Sequence, residues 1–184
     1  MPNYRRWNIE GGTFFLTAVT HERRPLFRDA SHRAFLRVAI KEVQSRRPFD
    51  IVAMVLMPDH FHALWALPAD DKDFSNRMRA LKYAFTRAYL TAGGDEGAFT
   101  LSRLRHRNRG VWQKRFHEHF IRDEADLARH LDYIHYNPVK HGYVDSPRKW
   151  RWSSFQRYVR LGAYPLDWCD ATRAEQVEIQ PGFE

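Results

Sequence analysis

The apolar positions of this chain change period several times, and each change marks an element. Thr13-Phe14-Phe15-Leu16-Thr17-Ala18-Val19 is rich in β-branched and aromatic residues and follows Gly11-Gly12, which predicts a first strand. From Ser31, placed to cap a helix, Phe35, Leu36, Val38, Ala39, Ile40 and Val43 recur at helical spacing until Pro48. Phe49 to Met57 reads as a buried strand, Pro58-Asp59 as a turn, and His60 to Leu67 as the alternating partner in a hairpin. Between Asp71 and about Ala92, Phe74, Met78, Leu81, Phe85 and Ala88 return every three or four residues. That is a second amphipathic helix, which Gly93-Gly94 stops.

Residues 95–111 have almost no apolar period and read as a loop. Phe116 to Ile121 predicts a short fourth strand, and Asp123 can cap a third helix that runs through Tyr136 and breaks at Pro138. Ser153 to Leu161 suggests a fourth helix before an aromatic, loop-like stretch. The order strand, helix, strand, strand, helix, strand predicts an α+β, ferredoxin-like (RRM-like) fold. Its antiparallel sheet would carry helices on one face, leave the other free for ligand, and be followed by additional C-terminal helices.

At 184 residues, with 43% hydrophobic and 15% aromatic content, the chain can bury one sizeable core. The expectation is a single domain over residues 1–170 and a tail over 171–184 without clear periodicity. Lysine and arginine outnumber aspartate and glutamate 30 to 22, giving a net charge of +8, which suggests a polyanionic partner but does not by itself separate nucleic-acid binding from a basic surface. A lone cysteine, Cys169, excludes an intramolecular disulfide and a thiolate-rich zinc site, and fits a reducing compartment. Met1 to Arg6 has no apolar signal region, and the longest unbroken apolar run, Ile51 to Met57, is far too short to span a membrane. A cytoplasmic protein without a membrane partner is expected.

Candidate chemistry concentrates at His60-Phe61-His62. Side chains two apart on a strand point to the same side, roughly 6.6 Å apart along the backbone, so both imidazoles can converge on one ion while Phe61 faces a core. On the third predicted helix, Leu127, Leu131 and Ile134 form the stripe expected to pack on the sheet, and Asp126, His130, Tyr133 and Asn137 form its neighbour. Tyr133 and Asn137, four apart, can address one small site together, the first as nucleophile and the second as oxygen ligand. A helical tyrosine ordinarily packs, and a His-x-His pair occurs with and without a metal, so the combination says more than either part. His117-Glu118-His119 has the same spacing, but its strand would bury a glutamate unless it lies at an edge; a role in structure or surface is expected for it, with a place near the site or on DNA as the alternative.

Three ordered segments, Met57-Pro58-Asp59-His60-Phe61-His62, Val111-Trp112-Gln113-Lys114-Arg115-Phe116 and Asp132-Tyr133-Ile134-His135-Tyr136-Asn137-Pro138-Val139-Lys140-His141-Gly142, resemble the single-tyrosine HUH transposases. More narrowly they are similar to the REP-associated tyrosine transposases, over about Tyr4 to Trp168. The resemblance implies a metal-dependent nuclease and strand transferase acting on single-stranded DNA beside imperfect hairpins. His60 and His62 would then be metal ligands and Tyr133 the nucleophile. Asn137 stands where insertion-sequence relatives carry glutamine and would still offer a carbonyl oxygen. Mg²⁺ and Mn²⁺ both suit such a site, since imidazole favours the second and oxygen ligands the first. A monomer is expected for this branch, while insertion-sequence relatives are dimers. A domesticated, non-catalytic binder of structured DNA and an unrelated His-metal hydrolase are the competing readings.

Contacts to phosphate or bases are expected from Tyr4, Arg5, Arg6 and Trp7, from Arg23 and Arg24, from Arg103, Arg105, Arg107 and Arg109, and from Lys114 and Arg115. In the family resemblance the N-terminal segment helps to read a short guide sequence beside the hairpin. The cluster Lys149-Trp150-Arg151-Trp152 reads instead as packing of the C-terminal helix on the core.

Overall fold

The computed structural model describes residues 9–97 and 109–169. Strands β1 (Thr13–Val19), β2 (Asp50–Leu56), β3 (His60–Ala66) and β4 (His117–Phe120) form one antiparallel sheet in the order β2-β3-β1-β4. Helices α1 (Ala30–Arg46) and α2 (Phe74–Thr91) connect them as a split βαβ pair, and α3 (Glu124–Lys140) and α4 (Phe155–Arg160) follow. This is the α+β ferredoxin-like arrangement that the element order predicts.

The strict alternation of β1 and β3 sends Phe14, Leu16, Ala18, Phe61, Ala63 and Trp65 to one side, where they meet Leu36, Ala39 and Val43 of α1 and Phe74, Met78, Leu81 and Phe85 of α2. Fully burying each such large side chain contributes about 1.5–3 kcal/mol, so this layer is the main source of stability. Trp112 joins it beside Phe27, Phe61 and Phe85, so the Val111-Trp112 part of the second motif is core. Among the described residues, no helix is long and apolar enough to cross a membrane.

The opposite face of the sheet is not left open. There α3 lies over β2 and β3, with Tyr133 and Ile134 packed on Phe15, Ala53, Val55 and Leu64. The helix is turned further than its leucine stripe suggests: Leu127 and Leu131 are only partly buried, while Asp126, His130, Tyr133 and Asn137 point inward. A polar stripe tolerates that position because the sheet below it is polar in part, with Thr17 and His62 in one register row.

Local chemistry shifts two boundaries. The cap of α1 is Asp29, whose carboxylate accepts from the backbone N–H groups of Ser31 (2.7 Å) and His32 (3.3 Å), so Ser31 is already helical. The cap of α3 is Asp123, as its sequence predicts. This helix does not break at Pro138: the ring costs one N–H in the last turn, and the amides of His141 and Tyr143 still reach Asn137 O and Pro138 O, both at 3.0 Å. Gly93, at φ 84°, turns the chain out of α2.

Candidate active site

β3 begins at His60, and both of its histidines face α3. His62 is 1% exposed and His60 4% exposed, and their rings are 4.8 Å apart. Each ring is held through Nδ1. His60 donates to the carboxylate of Asp59 at 2.6 Å, and His62 shares a 2.7 Å hydrogen bond with the hydroxyl of Thr17 on the neighbouring strand. Both Nε2 atoms are thereby left for something else. The Nε2 of His62 is buried and has no hydrogen-bond partner.

Tyr133 of α3 stands over this pair, 2% exposed, its ring 5.1 Å from that of His62 in an edge-on arrangement. One turn later Asn137 is fully buried, and neither end of its carboxamide is hydrogen-bonded. A buried amide without partners costs on the order of 1–3 kcal/mol, so the fold pays to keep it. Burial first, then the neighbouring His60, His141, Lys140 and His117, push His62 well below the usual histidine range. Its ring is therefore neutral, the form in which imidazole binds a metal. Two imidazoles positioned through their other nitrogens, with an orphaned carboxamide beside them, fit a divalent cation.

The N-terminal half of α3 carries a second polar cluster. Asp126 accepts from His119 Nε2 (2.9 Å), from the backbone N–H and the Nε of Arg122 (both 3.1 Å) and from Arg129 (3.3 Å). Burial alone would raise its carboxyl, but these donors hold it well below the usual carboxylate range. His119, Asp126 and His130 offer ligand atoms within 4.8 Å of one another and are compatible with a metal site. The carboxylate, however, is already surrounded by cations and N–H groups, which makes the cluster a clasp between β4 and α3. Its strand lies at the sheet edge and nevertheless buries Glu118, 7% exposed, on the α2 side.

The model of the IS200-like transposase family matches residues 11–137, a span that opens just before β1 and closes on Asn137. The chain belongs to the IS200-like transposases. Within them it is 41% identical, over 91% of each chain, to a REP-associated tyrosine transposase of Escherichia coli K12. It is 44% identical to a Haemophilus influenzae protein provisionally described in the same way, over 91% of this chain and 93% of that one. A solved structure of a REP-associated tyrosine transposase bound to a REP hairpin superposes with a TM-score of 0.76, at 41% identity and 91% coverage of both chains.

The expected site residues of this REP-associated transposase are distributed unevenly. His60, His62, Tyr133 and Asn137 come together from β3 and α3. Tyr4, Arg5, Arg6, Trp7, Arg103, Arg105 and Arg107 lie outside the described residues. Lys114 and Arg115 are exposed beyond Trp112. Arg24 donates to the carbonyls of Asp95 (3.1 Å) and Gly110 (2.9 Å), and Arg109 pairs with Glu96, so both join residues 95–96 to residues 109–110. Arg23 pairs with Asp59 at 3.2 Å from a turn in which Glu22 and Arg23 take left-handed backbone angles of 55° and 50°.

Four residues around the site escape the periodicity argument. Asp59, read as a turn residue, orients His60, and Thr17, read only as part of the first strand, orients His62. His141 stacks edge-on to His60 at 5.8 Å, and the ammonium of Lys140 sits 5.2 Å from the centre of the Tyr133 ring. These last two are exposed and form the rim. Their nearness to Asn137 in sequence was the available signal.

Proposed function

We propose that this transposase is a metal-dependent single-stranded DNA endonuclease and strand transferase acting at hairpin-containing REP-like sequences, with Tyr133 as nucleophile. The observation that carries this reading is the buried, partnerless Nε2 of His62 beside the Tyr133 ring, with the equally partnerless carboxamide of Asn137 one helical turn away. His60, His62 and Asn137 would hold Mg²⁺ or Mn²⁺. When bound, such an ion polarises the scissile phosphate and stabilises charge in the transition state.

The chain's own residues do the rest. Asp59 holds the proton of His60 on Nδ1 and Thr17 anchors the ring of His62 through its Nδ1, so that Nε2 of each faces the site. Lys140, at the rim, meets the anionic oxygens of an entering phosphate. The Tyr133 hydroxyl attacks phosphorus, a tyrosine–phosphate bond forms, the bond to the 3′ oxygen breaks, and that oxygen leaves as a hydroxyl with the proton the phenol gives up. The product is a 5′-phosphotyrosine. Since this link is itself a phosphodiester, a second 3′ hydroxyl can reverse the step and join strands without ATP.

The fully engaged carboxylate of Asp126 argues against placing the ion at His119 and His130 instead. Incubation of the protein with a single-stranded REP-like hairpin oligonucleotide and Mn²⁺, followed by denaturing electrophoresis, tests the reading. A slower protein–DNA band is expected, absent in Tyr133→Phe although that variant still binds the hairpin. Salt-sensitive binding with no band would favour the non-catalytic binder, and free ends without a covalent species would favour a hydrolase.

A further inference from the structure

The chain from Lys149 to Ser154 does more than pack a helix. Residues 152–154 extend the sheet at the outer edge of β2: Leu56 N–H donates to Trp152 O at 2.9 Å, and Ser154 N–H to Met54 O at 2.8 Å. Those backbone bonds fix Trp152 beside α1. From the active site outward, aromatic rings then succeed one another without a gap. His60 and His141 are 5.8 Å apart, His141 and Tyr143 6.4 Å, Tyr143 and Trp150 5.5 Å, and Trp150 and Trp152 5.0 Å. The guanidinium of Arg33 covers the far end, 4.5 Å from the Trp152 ring.

Two hollows lie along this file. The first, about 190 Å³, is bounded by Pro58, Tyr143 and Trp150; the second, about 760 Å³, runs between α1 and the β2 edge. They adjoin at Arg33, Leu56 and Trp152, which line both. Among the described residues their walls carry Arg28, Arg33, Arg37, Lys41 and Arg151 and no aspartate or glutamate. Apolar floor comes from Leu36, Ile40, Ile51 and Met54. Tyr143 is 43% exposed and belongs to neither core layer, which a purely structural aromatic would not need to be.

A row of rings that leads from the active site into a groove walled by cations matches a single nucleic-acid strand, whose bases stack while its phosphates meet guanidinium and ammonium groups. We propose that the single-stranded segment flanking the cleavage position leaves the active site past His141 and runs along Tyr143, Trp150 and Trp152 into the basic groove beside α1. This rests on the reading of the protein as a single-strand DNA transferase. It adds the strand's path and a second, sequence-tolerant contact surface that hairpin recognition does not require.

The test compares a REP-like hairpin with and without a ten-nucleotide single-stranded extension, on the 5′ or the 3′ side, by fluorescence anisotropy in EDTA so that no cleavage occurs. An extension on one side is expected to tighten binding by the full-length protein at least tenfold. Arg37→Glu combined with Lys41→Glu, two exposed positions on α1, is expected to abolish that gain while leaving the bare hairpin unaffected. The double variant should also reduce the salt slope for the extended DNA by about 1.4, that is, 0.7 for each of two single-strand phosphates. Tyr143→Ala is expected to lose about tenfold for the extended DNA alone. The path is overturned if neither extension improves wild-type binding, if the variants weaken both DNAs alike, or if their only effect is on self-association of the DNA-free protein in sedimentation. Covalent adduct formation is scored separately on the same proteins, so a protein that binds the extension yet forms no adduct would refute the transferase reading and keep the path.

Discussion

Thr17 and His62 lie opposite each other on adjacent strands, 45 residues apart in sequence, and the 2.7 Å hydrogen bond between them leaves only Nε2 of the imidazole to face Tyr133. A hydroxyl at this place decides which nitrogen is available without adding charge to the site. Thr17→Val keeps the volume and removes the bond, freeing the ring to reorient. We expect Mn²⁺ affinity, measured by calorimetry, to fall roughly 10- to 100-fold with the overall fold retained in circular dichroism. Unchanged affinity would mean that Thr17 only packs.

Asn137 sets stability against function. Its carboxamide is buried with neither end hydrogen-bonded, which costs the metal-free fold on the order of 1–3 kcal/mol. Leucine has nearly the same shape and nothing to desolvate. Asn137→Leu is therefore expected to raise the melting temperature of the metal-free protein by several degrees while abolishing both metal-dependent stabilisation and the covalent adduct. A variant that melts lower, or still forms adduct, would remove Asn137 from the site.

How far the sequence reaches can be judged at α3. Its existence, its Asp123 cap and its proximity to the sheet follow from local patterning, as does the inward face of His60 and His62, because strand alternation has a period of two. The rotation of α3 does not. Amphipathicity marks Leu127 and Leu131 as apolar, but a helix covering a polar site buries the stripe that meets the site's partners, and those partners lie on distant strands. Thr17 against His62, His119 against Asp126 and Trp152 against Leu56 are long-range pairings that register decides and periodicity cannot express. Asp59 was visible beside His60; what hid it was the strength of the Pro-Asp turn signal.

The clasp at Asp126 should matter to stability more than to chemistry. Asp126→Asn keeps the size and removes the charge that gathers His119, Arg122 and Arg129, at a cost of about 2 kcal/mol in chemical denaturation. The native carboxyl is held low, so on acidification the unfolded chain takes up the proton first, near the ordinary carboxylate value of about 4. The stabilising contribution is complete above that pH and shrinks as pH falls further. The carboxylate's share of the difference between wild type and Asp126→Asn should accordingly narrow as pH falls from about 4 towards 3. A difference that widens in acid would mean the carboxyl is not charged in the native state.

Arg23, Asp59 and His60 form a chain in which the links differ in worth. The Arg23–Asp59 pair, at 3.2 Å, has its guanidinium side half exposed, and such pairs contribute about 0–1 kcal/mol because water screens them. The 2.6 Å bond from His60 to Asp59 is inside, with His60 nearly buried, and it orients a ring whose other nitrogen faces the proposed ion. Asp59→Asn can offer its amide instead of a carboxylate, which weakens the acceptor and permits the wrong tautomer. Mn²⁺ affinity is expected to drop roughly 10- to 100-fold in Asp59→Asn and by no more than about twofold in Arg23→Ala. For hairpin DNA the order should reverse, since Arg23 is the exposed charge: its loss should lower the salt slope of binding by about one, with Asp59→Asn leaving that slope unchanged. Equal losses of metal affinity in both variants would show that the surface pair, rather than the buried bond, holds His60 in place.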